Sequence, residues 1–400
     1  MRPSALRLLF LSLVLLLVAA VTSGCHGLQA GGTEAGNGGG GTLGATVSPV
    51  KRVVVVVMQN SSFDHLFGKY APPAGQTVNG IHPGVNGYSQ ANGTGTMVTP
   101  FEQTNASITD LPHSRNDYLT AWDNGAMDKF ASHNGTNAMG YYTSANAGVA
   151  TLWSLASNYA LADDYFSSAM SNAPANPLYM VAASDNDFAF SVQPFYGPCN
   201  QPDAASQAYT FPNLGDQMNT ANLSWGWFQE NLGACGSGYV QVQNPFQYFT
   251  STHAAPQIQD LTAFFSQLNA GTLPAVSFVQ PSDAHGGHPG SGSITASLNW
   301  LNDLVGQIKA TPAWDSIAIV VVWDEGGGFW DHVSPPQLDS QGLGMRVPML
   351  VISPYAKAGY VSHVQMDHVS ILKFIDWNWS LPTLNAREDQ SADIRDMFQF

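Results

Sequence analysis

The sequence predicts an α/β domain built on a mostly parallel central sheet with helices on both faces. Three observations carry this expectation. Residues 52–58, which after Arg52 are apolar with five consecutive valines, and 317–322 are apolar runs, and strands buried on both faces read this way. Ile294, Leu298, Leu301, Leu304, Val305 and Ile308 recur at helical spacing behind Ser293, a favoured N-cap type. Strands alternate with helices along the chain, and such crossovers join parallel strands.

Residues 1–24 read as a secretory signal. Arg2 and Arg7 precede an apolar run over 8–20 that is too short and wrongly flanked for a stable membrane span. Cys25 follows small residues, which suggests a lipidated cysteine and membrane attachment through it; ordinary signal cleavage nearby is the other reading. Either places the protein outside the cytoplasm. Residues 25–50, rich in Gly, Ala and Thr, read as a tether, and the domain proper as 51–400.

The strand at 52–58 runs into a polar turn, and 70–115 reads as a long irregular excursion. Residues 118–130 and 147–162 look helical, and 166–177 looks like a loop. Residues 190–255 alternate aromatic and polar residues around Cys199 and Cys235 and read as a loop-rich insertion or cap. Its aromatics, among them Trp225, Trp227, Phe228 and Phe246, would form either a lid over an apolar substrate moiety or a small structural subdomain. The two cysteines are expected to pair outside the cytoplasm; two buried thiols are the alternative. A strand at 275–279, a loop at 283–292 with His285 and His288, the helix from 294, strands at 317–322 and 348–352, and a helix at 369–377 complete the domain.

Only 10% of the 400 residues are charged, against roughly 25% in ordinary soluble domains. Thirteen Lys and Arg face 28 Asp and Glu, a formal charge of −15. Without Arg2 and Arg7 the balance is 11 against 28, or −17. That excess of acid disfavours nucleic acid and anionic membrane surfaces as partners.

The chemistry concentrates where the strand at 317–322 breaks into Asp324, Glu325 and three glycines, followed by Asp331 and His332. Adjacent carboxylates repel and lose hydration unless a cation or a proton lies between them. This points to a metal-assisted site for an anionic group, with phosphate the expected one. A strand-to-loop turn with solvated acids is the plain alternative.

Met58 to Gly68, His113, Ala121 to Phe130, Trp323 to Pro336, Gly344 to Lys357 and Asp367 to Ser370 follow one another in the order of a known pattern. On these residues the chain resembles the bacterial phosphoesterase family of non-zinc phospholipases C and a related acid phosphatase. The resemblance implies a fold similar to that of alkaline phosphatases. It implies a metal held at Gln59, Asn60, Asp324 and Glu325, with oxygen ligands favouring Ca²⁺, Mg²⁺ or Mn²⁺ over Zn²⁺. His288, His332 and His368 fall where the family places histidines around phosphate, ready to bond the transferring group or protonate the leaving oxygen. His113 and Asn176 match substrate-binding positions.

Four positions depart from the pattern. Gln59 replaces an acidic ligand. Ala173 occupies the place of the Thr or Ser nucleophile, with Ser171 the nearest hydroxyl. Gly287 and Leu119 stand where many members carry an acid and a histidine. The expectation is an extracytoplasmic hydrolase of phosphoric esters, acting on a phosphorylated small molecule or a phospholipid through Ser171 or a metal-activated water. The alternatives are hydrolysis of a different ester, or a catalytically impaired relative that binds a phosphorylated ligand or an envelope partner.

Overall fold

The computed structural model describes residues 35–36, 41–82, 88–187, 199, 208–339 and 341–400. The signal segment and Cys25 lie outside the described residues, as does most of the expected tether. Residues 41–50, its expected end, are not a free tether. Thr42 N–H donates to Asn222 O (2.9 Å), Trp379 Nε1 donates to Leu43 O (2.7 Å), and Ser48 Oγ donates to Asn378 Oδ1 (2.6 Å).

Eight strands form the central sheet: β1 (Arg52–Met58), β2 (Ala160–Ala162), β3 (Trp225–Gln229), β4 (Ile258–Asp260), β5 (Val276–Gln280), β6 (Ile317–Trp323), β7 (Met349–Ile352) and β8 (Tyr360–Ser362). Their order is β4-β3-β5-β1-β6-β7-β2-β8. All neighbours pair in parallel except across β7, which runs antiparallel to both β6 and β2. The expected mostly parallel sheet is present. Every residue of β1 and β6 is buried, so both faces are covered, as their unbroken apolar runs require.

Of the helices, α1 (Phe63–Phe67), α2 (Arg115–Trp122), α3 (Ala147–Asn158), α4 (Ala175–Ala182), α5 (Ile294–Lys309) and α6 (His368–Trp379) position the site. Helices α3 and α5 pack on each other, as do α4 and α6. The N-cap predicted for α5 is made: Ser293 Oγ accepts from Ala296 N–H.

Local expectations fail at three places. The helix read over 118–130 ends at Trp122, because Asp123 and Asn124 take left-handed backbone before Gly125, which breaks the hydrogen-bond ladder. The helix read over 147–162 ends at Asn158. Ala160–Ala162 instead fills a slot between β7 and β8, where sheet pairing overrides alanine's helix preference. The stretch read as a cap supplies β3, paired with β4 and β5. Trp225, Trp227, Phe228 and Phe246 lie in the main core, so this part is the body of the domain and not a lid. Cys199 and Cys235 are joined by a disulfide.

Candidate active site

Strands β1 and β6 are parallel neighbours with Met58 opposite Trp323, so the chain leaves both at the same sheet edge. This brings Gln59-Asn60 beside Asp324-Glu325. Asp324 N–H donates to Met58 O (3.0 Å). Asp324 Oδ1 accepts from the N–H of Asn60 (3.0 Å) and of Glu325 (2.8 Å). Gln243 Nε2 donates to Oδ2 (2.8 Å). Asn60 is left-handed at φ 58°, a conformation Asn tolerates.

Glu325 is held from two other elements. Tyr118 of α2 donates its hydroxyl to Oε2 (2.5 Å) while accepting from Gly328 N–H (3.1 Å). Ala173 N–H, just before α4, donates to Oε1 (3.2 Å). The loop after the acids passes so close to its neighbours that side chains are excluded. At Gly327 (φ 61°) a Cβ would stand 2.6 Å from Asn60 Cβ, and at Gly328 (φ 76°) 2.7 Å from Pro112 O.

Asp324 and Glu325 are 0% and 1% exposed. Burial, then the charge of Glu325, pushes Asp324 up to about 7. Burial pushes Glu325 up to about 8. The groups bonded to them are amides and a phenol, with an imidazole nearby, so the pair favours a proton or a bound cation. Gln243 Oε1, beside Asp324, is buried without a hydrogen-bond partner among the described residues. Two carboxylates and the side-chain amide of Asn60 make an oxygen-donor set that fits a hard divalent cation.

The structure sorts the other predicted residues. Gln59 is buried against Gly286, where a Cβ would stand 2.8 Å from Oε1, and neither amide atom has a hydrogen-bond partner among the described residues. His113 Nε2 lies 3.8 Å from Glu325 Oε1 and 3.4 Å from Asn60 Nδ2. The His288 ring stands edge-on to it at 5.6 Å between centroids. These two imidazoles belong to the acid pair's neighbourhood.

His368 lies beneath the acids with both ring nitrogens engaged. A carbonyl only accepts, so Nε2 donates to Asp324 O (2.8 Å) and Nδ1 accepts from the Tyr165 hydroxyl (2.9 Å). Burial lowers its pKa to about 4. It is a neutral prop for the Asp324 backbone, not the proton donor expected.

His332 is placed elsewhere. Nδ1 lies 2.6 Å from Asp64 Oδ2 and Nε2 lies 2.9 Å from Asn79 Oδ1. Burial lowers its pKa, but the hydrogen bond and charge of Asp64 outweigh this and raise it. Fully buried Arg346 bonds Asp331 through Nε (3.0 Å) and Asp64 through Nη2 (3.1 Å). A guanidinium already neutralises this cluster, so the network staples the loop to α1 and is not expected to hold a metal.

Two further expectations are corrected. The Asn176 amide is spent inside its own loop, accepting from Ala169 N–H (2.8 Å) and donating to the carbonyls of Ala169 (3.2 Å) and Ser171 (2.8 Å). It shapes the loop and has little left for substrate. Buried Ser171 points its hydroxyl at Asn172 Oδ1 (3.5 Å), with no bond to either acid among the described residues. Sequence reasoning missed Tyr118, Gln243 and Asp110. The first two carry no local motif. Asp110 stood three residues before His113, a spacing that brings their side chains to 3.5 Å.

A model of the phosphoesterase family matches residues 50–382. The chain belongs to the phosphoesterase family. Among curated relatives, it is 24% identical over 88% of its length to a non-hemolytic phospholipase C of Pseudomonas aeruginosa, covering 57% of that protein. It is 26% identical over 83% of its length to a non-hemolytic phospholipase C of Burkholderia pseudomallei, covering 55% of it. The chain thus spans little more than half the length of these two relatives. A Mycobacterium tuberculosis phospholipase C B is 27% identical, covering 95% of this chain and 82% of the relative. A solved structure in the alkaline phosphatase superfamily, from Vibrio parahaemolyticus, covers 91% of this chain and 76% of its own at 8% identity, with a TM-score of 0.39.

Among the residues of this phosphoesterase, position 173 bears most on mechanism. Its backbone N–H reaches Glu325, but its side chain is a methyl group. At residue 173 the loop therefore brings a backbone N–H, and not a side-chain hydroxyl, to the acid pair.

Proposed function

We propose that this phosphoesterase is a metal-assisted hydrolase of phosphoric esters, of the phospholipase C or acid phosphatase type, in which water makes the attack. The observation that carries the proposal is the buried Asp324–Glu325 pair, held among the described residues by Asn60, Gln243, Tyr118 and Ala173 rather than by a lysine or arginine. Without a cation, two such acids are costly to bury. A divalent ion bound there supplies Lewis acidity toward a phosphoryl oxygen and makes water more acidic.

The protein's own groups fix the rest. Tyr118 and the Ala173 N–H orient the Glu325 carboxylate, and His368 and Gln243 orient Asp324. His113, 3.8 Å from Glu325 Oε1, and His288 beside it are the groups we assign to bonding the anionic group. Water attack needs no hydroxyl at position 173 or 171. We propose phospholipids or phosphorylated small molecules as substrates, supported by the phospholipase C relatives, and an extracytoplasmic location, supported by the N-terminal apolar run and the Cys199–Cys235 pair.

Ala173 also favours a second reading, a binding protein for phosphorylated ligands that has lost turnover. Hydrolysis of an aryl phosphodiester by the native chain and by Ser171→Ala separates the two. Turnover in both supports water attack. Its loss in Ser171→Ala would make the serine the nucleophile, and no turnover in the native chain would favour the binding protein.

A further inference from the structure

We infer that Glu230 is a positioning residue: it fixes the turn over 282–288, and through that turn the place of His288 beside the acid pair. The inference rests on the reading of His288 as a group that bonds the anionic group.

The turn cannot hold its own shape. Its helix, Asp283–Gly286, is four residues long, and Ser282 at its N-cap makes no side-chain capping bond. So short a helix is unstable unless outside groups satisfy its ends. In a capping box, an acid at the third helical position would reach back to the N–H of the N-cap residue. Here that position is His285, and Glu230 takes the acid's role from a neighbouring strand.

Glu230 is well placed to do so. It directly follows β3, at the sheet edge that also carries the acids, because β3, β5, β1 and β6 run parallel. Its N–H donates to Gln280 O (3.0 Å), which ties it to the end of β5. Its carboxylate then grips the turn at two points. Oε2 accepts from Ser282 N–H (2.9 Å). His285 Nδ1 lies 2.9 Å from Oε2 and 3.0 Å from Oε1. An ionised carboxylate only accepts, so Nδ1 carries the hydrogen. Burial raises the Glu230 pKa, but the hydrogen bonds from Ser282 and His285 outweigh this and lower it. The His285 ring lies nearly parallel to Trp300 of α5, at 6.1 Å between centroids.

The far end of the turn reaches the site. Ser282 O accepts from the N–H of His285 (3.0 Å) and of Gly286 (2.7 Å), and Gly286 O accepts from Gln59 N–H (2.9 Å). The chain then reverses at left-handed Gly287 (φ 97°) and delivers His288 edge-on to His113. The turn thus has two fixed points, Glu230 on β3 and Gln59 after β1, with His288 just beyond the second. A glutamine at 230 would offer one acceptor oxygen for two donors and set its own N–H against one of them, so the first fixed point would give way.

The test reads the His288 ring ¹⁵N resonances and aryl phosphodiester turnover in the native chain, Glu230→Gln and His285→Gln. His285→Gln leaves the Ser282 bond in place and serves where Glu230→Gln does not fold. The expected result is a shifted His288 resonance in both variants. In Glu230→Gln, kcat falls about tenfold to a hundredfold at native metal content, with a smaller fall in His285→Gln. Added to His288→Gln, Glu230→Gln costs little more, because the group it positions is already gone. A glutamate that only stabilised the fold would repeat its full loss there. That repeated loss, or an unchanged His288 resonance in both variants, would overturn the inference. No turnover in the native chain would remove the hydrolase reading and leave the ring resonances to decide on Glu230.

Discussion

Ala173 sets the residue-scale question, because its N–H reaches Glu325 while its side chain has nothing to attack with. Ala173→Thr would place a hydroxyl beside the carboxylates. If water is the nucleophile, this change should leave turnover within about tenfold of native, a difference of roughly 1.4 kcal/mol, readable in kcat with an aryl phosphodiester. A rise of several orders of magnitude would instead mean that the native chain lacks its main catalytic group. Arg346 tests a structural role. It is fully buried between Asp64 and Asp331, and Arg346→Gln should destabilise the fold by about 3–5 kcal/mol, because two buried carboxylates lose their partner. Denaturant unfolding measures this. At this scale the meeting of Asn60 with Asp324 and Glu325 was legible, because both pairs lie just past apolar runs that fix where the chain emerges. His332 was not, since adjacency to the motif does not say that Asp331 and His332 turn back toward Asp64 and Arg346. Asn176 failed similarly: an amide that matches a motif can serve the loop that carries it.

Between elements, α6 meets the short helix Ala386–Gln390 through two buried carboxyl groups. Burial, then the hydrogen bond to Glu388 and its charge, raises Asp376 to about 9, and Glu388 is raised as well. A raised carboxyl means that the folded state holds a proton the unfolded chain releases. The stabilisation is full below the ordinary carboxyl range and is lost as pH rises toward about 9. Asp376→Asn keeps a hydrogen bond without the proton, so it should flatten this pH dependence and raise stability near pH 8 by about 1–3 kcal/mol. Thermal melts across pH check the slope; equal slopes in both proteins would remove the shared proton. Strands with unbroken apolar runs, β1 and β6, were legible. Strand β2 was hidden, because Ala160-Leu161-Ala162 at a helix end become a strand only through the partners on either side.

For the whole molecule, the aromatic stretch distinguishes body from lid. Trp227 lies in β3 between β4 and β5 and is almost fully buried. Trp227→Ala should therefore lower stability by about 3–5 kcal/mol; a change in substrate preference at constant stability would restore the lid. The parallel sheet was readable from alternating periodicities, whereas the membership of β3 was masked by polar residues and turns on both sides. The acid pair at the sheet's edge joins fold to function, so the most direct measurement is phosphodiester turnover by the native chain and by Asp324→Asn, with EDTA and with added Ca²⁺ or Mg²⁺. The expected result is native turnover that EDTA abolishes, that metal restores, and that Asp324→Asn lacks. Turnover indifferent to EDTA and retained in Asp324→Asn, or no native turnover with any metal, would contradict it.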